Sequence, residues 1–212
     1  MLYLKSFPFN PFQENTYIIY DDEGTAYIID PGNSNATENE AVKNFLKEKS
    51  LTLKRLLLTH AHIDHVLGNK FIFDTYGLLP EMHKEEIFFI EKMQQTAAMY
   101  GLPSEQSPYA EKFIAEGDTI TLGKYEFECF HTPGHSPGSI SFYNKENKLL
   151  IAGDVLFHGS VGRSDLPKGD HETLIHSIKS KLLVLGDDVK VYPGHGPATT
   201  IGYEKKNNPF LV

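Results

Sequence analysis

Cysteine is nearly absent. The single residue, Cys129, leaves no partner for an intramolecular disulfide and excludes any CxxC redox or metal motif. It lies in the alternating run Tyr125-Glu126-Phe127-Glu128-Cys129-Phe130, which reads as a strand with the thiol packed in the core. Basic residues are also in deficit, 20 against 28 acidic ones, for a formal net charge of −8. That balance opposes counterion-driven nucleic-acid binding, which wants a basic face. No apolar stretch approaches the ~20 residues of a membrane span. The N-terminal MLYLKSFPFNP, interrupted by Lys5, Pro8 and Pro11, does not fit a signal peptide, so a cytoplasmic location is expected. Repeats, low-complexity linkers and composition breaks are lacking too, and one domain over residues 1–212 is the economical expectation.

What remains is an ordinary globular composition, 40% hydrophobic and 23% charged, punctuated by strand and helix signals. Thr16–Asp21 and Thr25–Asp30 flank Asp22, Glu23 and Gly24 and read as a hairpin. Thr37 with Glu40 has capping-box spacing and predicts a helix over Glu38–Lys49. A buried strand follows at Arg55–Thr59, then a helix over Val66–Tyr76 stopped by Gly77. Residues 84–116 read as mostly helical, with a break from Gly101 to Pro108. Strands are expected at Thr119–Leu122, Tyr125–Phe130, Ser139–Tyr143 and Lys148–Ala152. The last elements are a helix over His171–Leu185, capped by Asp170 and closed by Gly186, and a strand at Val189–Tyr192. Strands in two groups, each with helices, suggest two packed sheets with helices outside, an α/β fold.

The chemistry concentrates at Thr59-His60-Ala61-His62-Ile63-Asp64-His65. Four potential ligands in six residues follow a buried strand directly. On extended chain His60 and His62 point the same way and can grip one ion together. A turn after them would let Asp64 and His65 face a second. Three later candidates stand at strand ends beside glycine: His135 in Thr132-Pro133-Gly134-His135-Ser136-Pro137-Gly138, Asp154 in Ala152-Gly153-Asp154, and His195 in Tyr192-Pro193-Gly194-His195-Gly196-Pro197. Glycine admits close backbone approach, and strand ends hand side chains to a site on a rigid support.

The ordered pattern HxHxDH, His, Asp, His resembles the metallo-β-lactamase superfamily, most closely the branch of glyoxalase II (hydroxyacylglutathione hydrolase) and its shorter bacterial relatives. The similarity extends from Asn15-Thr16-Tyr17 and Asp30-Pro31-Gly32 to Asn208-Pro209-Phe210-Leu211. It implies an αββα four-layer sandwich and two divalent metal ions. His60, His62 and His135 would hold the first ion; Asp64, His65 and His195 would hold the second; Asp154 would bridge them. Two divalent ions less Asp64, Asp154 and a bridging hydroxide leave about +1, which suits a developing oxyanion. Asp64 and Asp154 are thus the catalytic carboxylates, with Asp64 also able to orient the nucleophile. Nitrogen and oxygen ligands suit zinc and are compatible with iron or manganese.

The substrate expected is a small molecule. A thiol with pKa near ~8.5 leaves without a general acid, which favours a thioester, with lactones and other activated esters close behind. Arg163 falls where glyoxalase II carries a glutathione-contacting lysine. Two readings of it are open: a clamp for a substrate carboxylate, or a brace paired with Asp165. Glyoxalase II carries a long C-terminal helical extension that completes its glutathione pocket, whereas 17 residues follow His195 here, which weighs against glutathione specificity. Residues 84–116, with Met93, Met99, Tyr100 and Tyr109, supply either a pocket wall or core packing. Competing functions are a mononuclear non-haem iron persulfide dioxygenase on the same scaffold, a β-lactamase, disfavoured because those enzymes carry cysteine at the position of Asp154, and a non-catalytic metal-binding module. The −8 charge opposes a nuclease. Oligomeric state has no signature in the sequence.

Overall fold

The computed structural model describes residues 1–212 and divides into two compact units, Met1–Phe113 with Leu122–Lys124, and Ile114–Thr121 with Tyr125–Val212. No helix is long and apolar enough to cross a membrane.

The first unit is built on a six-stranded sheet: β1 (Leu2–Phe9), β2 (Glu14–Asp21), β3 (Thr25–Ile29), β4 (Thr52–Leu57), β5 (Pro80–Met82) and β6 (Lys112–Phe113), in spatial order 1 to 6. The pairs β1/β2 and β2/β3 are antiparallel, while β3, β4, β5 and β6 run parallel. Parallel neighbours need crossovers, which are α1 (Ala36–Glu48), α2 (Asn69–Tyr76) and α3 (Ile87–Tyr100). Ile18, Ile28, Leu56 and Leu58 of the sheet share a core cluster with Val42 and Leu46 of α1, Ile72 of α2 and Ile90 and Met93 of α3.

The expected hairpin is β2–β3, its turn closed by Asp21 Oδ1, which accepts from the Glu23 and Thr25 amides. Three expectations need correction. The N-cap of α1 is Asn35, whose Oδ1 accepts from the Glu38 amide, and Glu38 reaches back to the Ser34 amide and hydroxyl. The capping box therefore lies two residues before Thr37/Glu40. Val66–Gly68 is a turn, so α2 starts at Asn69, although Gly77 ends it in the left-handed conformation as expected. Between Gly101 and Glu116 the chain does not return to helix, and Lys112–Phe113 pairs as a strand with β5.

The second unit carries β7 (Thr119–Leu122), β8 (Tyr125–His131), β9 (Ile140–Asn144), β10 (Leu149–Gly153), β13 (Lys190–Pro193) and β14 (Thr199–Thr200), ordered β14-β13-β10-β9-β8-β7. A separate two-stranded hairpin joins β11 (Leu156–Phe157) to β12 (Ser160–Val161). The expected helix from His171 is capped by Asp170, but α4 (His171–Ser177) gives way to a π-helical turn at Ile178–Leu182. A short α5 (Ile201–Asn207) follows β14. Leu150, Ala152 and Val191 of the sheet pack with Leu174, Ile178, Leu182 and Ile201. The two mixed sheets with their helices match the α/β class expected.

In each unit the co-directed strands deliver the polar residues. Asp30 follows β3, and His60–His65 follow β4. In the second unit β9 is antiparallel to both β8 and β10, and β13 is parallel to β10. The loops after β8, β10 and β13, which hold His135, Asp154 and His195, thus leave one edge of that sheet. Carboxyl ends of strands are the usual address of a site in α/β sheets.

Candidate metal centre

In the first unit, His60 and His65 are fully buried, and His62 and Asp64 are partly so. The His60 and His62 ring centroids lie 4.8 Å apart, as their i, i+2 spacing on extended chain requires. The turn expected after them is the 3₁₀ segment Ile63–His65. It brings the His65 ring to 4.1 Å from His60 and its Nε2 to 3.6 Å from Asp64 Oδ2. The side-chain amide of Asn10 donates to the Asp64 carbonyl (2.9 Å) and to the Gly32 carbonyl (3.0 Å), pinning the turn from behind.

Behind the histidines sits Asp30, 1% exposed and held at φ 51°. Its Oδ1 accepts from the Thr59 amide (2.7 Å), and its Oδ2 from the Thr59 hydroxyl (2.6 Å) and His65 Nδ1 (3.1 Å). With its proton given to Asp30, the Thr59 oxygen accepts from His60 Nδ1 at 3.0 Å. One carboxylate therefore places the proton of both imidazoles on Nδ1. Asp30, His60 and His65 also offer three ligand atoms within 4.8 Å of one another, but these hydrogen bonds already account for that closeness. Glu14, fully buried beside them, has its carboxyl pushed well up by desolvation, against the opposing pull of His65. Gly32 is needed for space: a Cβ there would meet Glu14 Oε2 at 2.1 Å.

In the second unit one oxygen, Asp154 Oδ2, lies 3.5 Å from His135 Nε2 and 3.5 Å from His195 Nε2. One carboxylate thus faces two imidazoles, as a shared ligand must. The Gly194 amide donates to the Gly153 carbonyl (2.9 Å), locking the two loops together. His135 Nδ1 lies 2.7 Å from the Arg163 carbonyl, an acceptor only, so this ring too is protonated on Nδ1. Gly162 lets the chain turn there, since its Cβ would stand 1.9 Å from the Asp154 carbonyl oxygen. The Arg163 guanidinium is engaged by Asp165 through two 2.8 Å hydrogen bonds, which lower the Asp165 carboxyl to about 2. Both side chains are exposed.

All seven ligand candidates thus lie in two clusters, four in the first unit and three in the second. Sequence reading missed the supporting residues Asn10, Glu14 and Thr59, and gave Asp30 no role beyond its motif. Neutral imidazoles with Nδ1 given to an oxygen acceptor present Nε2 as a metal ligand. Donors of this set, nitrogen and carboxylate oxygen, fit a divalent transition ion.

The family model for the metallo-beta-lactamase superfamily matches residues 9–195. The hydroxyacylglutathione hydrolase GloC of Haemophilus influenzae is 43% identical over 206 residues, covering 96% of this chain and 95% of that protein. Among solved structures, the BLEG-1 B3 metallo-beta-lactamase superposes with a TM-score of 0.90 at 39% identity, covering 99% of this chain and 100% of that one. TTHA1623, in a di-iron-bound form, gives 0.88 at 37%, covering 98% and 100%. The chain belongs to the metallo-β-lactamase superfamily, as a metal-dependent hydrolase.

Proposed function

We propose that the chain is a dinuclear hydrolase of small thioesters that binds a pair of divalent ions. His60, His62 and His135 hold one ion, Asp64, His65 and His195 the other, and Asp154 both. The observation that supports the reading is the orientation of the rings: Thr59, Asp30 and the Arg163 carbonyl take up Nδ1 of His60, His65 and His135, so that Nε2 would be the atom given to metal. The ions would supply Lewis acidity and an activated water near neutral pH. The chain's own part is to hold the ligands rigid, to keep Asp154 shared, and to leave the His195 side, 26% exposed, toward substrate. The name of the Haemophilus relative and the easy departure of a thiolate both favour a thioester such as S-lactoylglutathione. Zinc and iron both suit the donors, and the di-iron relative gives iron weight.

The test is a substrate panel on protein of measured metal content. Thiol release from S-lactoylglutathione and from a neutral acyl thioester, with two ions per chain, is the expected outcome. Oxygen consumption with glutathione persulfide and a single iron would replace the reading by a dioxygenase. Turnover confined to a lactone, or to a β-lactam as the B3 relative suggests, would move the substrate class while keeping the hydrolase.

A further inference from the structure

The segment after β5 has a role that neither a pocket wall nor simple core packing describes. β5 is the parallel neighbour of β4, with Leu57 opposite Glu81, and the Leu58 amide donates to the Glu81 carbonyl. The chain leaving β5 must therefore run beside the chain leaving β4, which is the His60-Ala61-His62 segment. After β5 it makes a 3₁₀ turn at Lys84–Glu86 and enters α3. Glu86 is a fully buried carboxylate, and its Oε2 accepts from the Ala61 amide at 2.7 Å. That amide is the peptide N–H between the two histidines. One turn later, the Phe89 ring meets the His62 imidazole edge-on, with centroids 4.8 Å apart.

We propose that the entry to α3, through the carboxylate of its N-cap residue Glu86 and the Phe89 ring of its first turn, is the positioning element that sets the His60-Ala61-His62 segment for its metal ion. The inference rests on the metal-centre reading above. Extended backbone with few ladder bonds has soft dihedrals, and a change in the dihedrals flanking the His60–Ala61 peptide re-aims one ring relative to the other. A buried acceptor at charge-assisted distance fixes that peptide, and a ring against His62 restricts the second imidazole. Both residues touch the ligand segment and act through it.

The experiment compares wild type, Glu86→Gln, Glu86→Ala and Phe89→Leu by chelator competition on metal-loaded protein and by cobalt(II) absorption, which reads ligand geometry without turnover. Glutamine keeps an acceptor for the Ala61 amide and should hold both ions within about threefold of wild type. Alanine should weaken one of the two ions by about 10- to 100-fold, the range typical when support behind a ligand is lost, with a changed cobalt spectrum and the other ion retained. Phe89→Leu should weaken the same ion by a smaller factor, and it decides the matter if Glu86→Ala does not fold. Wild-type affinity in the alanine or leucine variant overturns the inference. So does equal weakening of both ions with a lowered Tm, which would make Glu86 ordinary core support. Wild-type protein that binds fewer than two ions would instead remove the metal-centre reading, and this inference with it.

Discussion

Asp30 shows how one side chain can fix the protonation of several others. It accepts three hydrogen bonds, from the Thr59 amide, the Thr59 hydroxyl and His65 Nδ1, and through Thr59 it also sets His60. Asparagine tolerates the left-handed conformation of this position but turns an NH₂ toward groups that are already donors. Asp30→Asn should therefore cost about 1–3 kcal/mol of stability and weaken metal binding by about 10- to 100-fold, read by thermal unfolding and chelator titration. Unchanged metal affinity would mean that the rings are oriented by something else. Arg163 poses the opposite problem, because its carbonyl and its side chain do different jobs. The carbonyl orients His135, which alanine at this position would preserve. The guanidinium already has a carboxylate in Asp165, so a clamp requires the substrate to displace it. If it clamps, Arg163→Ala should raise KM for an anionic thioester by about one to two powers of ten and leave a neutral one alone. Equal losses for both substrates, repeated in Asp165→Ala, would make the pair a brace.

Among the elements, α5 was invisible in the sequence and anchors more than its seven residues suggest. Its Glu204 is fully buried and accepts from the Gly159 amide, the Thr199 hydroxyl and the Asn208 side-chain amide. Asn208 in turn donates to the Ser160 carbonyl. The β11–β12 hairpin is thus tied down at its tip, and Phe157 on that hairpin lies edge-on to His195, centroids 6.2 Å apart. Glu204→Ala leaves those donors without their acceptor and should cost about 2–3 kcal/mol, a Tm lower by roughly 5–10 °C. A change below about 1 °C in a calorimetric scan would show that the network is replaceable. Nothing in Ile201–Asn207 advertises this, since seven residues are too few to display a helical period. β1 escaped for a different reason. Lys5 and Pro8 interrupt its alternation, yet β1 is an edge strand, where proline is tolerated and lysine guards against further pairing. β2–β3, β4 and the Gly77 and Asp170 caps were legible because hydrophobic runs and cap residues act locally. The candidate ligands stood out for a similar reason: each sits beside a glycine or in a dense cluster at a strand end. Asp30, Glu14 and Glu86 did not, because their roles are contacts to chain 25 or more residues away, and spacing carries no trace of those.

On the scale of the whole molecule, the −8 net charge complements the proposed pair of cations. Carboxylates gathered behind and between histidines repel one another until cations arrive, so metal should act as a folding ligand, stabilising by mass action. In the proposed centre Asp154 serves both ions, and that feature yields a test. Asp154 is the shared ligand, and its Oδ2 is equally far from His135 and His195. Asp154→Ala should therefore weaken both ions together in a chelator titration, while His195→Ala should weaken mainly the second, since the first keeps its three histidines and Asp154. His62→Ala should do the reverse, sparing the ion held by Asp64, His65 and His195. If instead each unit bound its own ion independently, His62→Ala would leave the His135–Asp154–His195 cluster loaded, and Asp154→Ala would leave a first-unit ion bound at wild-type affinity. The two schemes part most clearly at Asp154→Ala. One ion held at wild-type affinity in that variant would refute the shared carboxylate, and with it the dinuclear hydrolase as proposed.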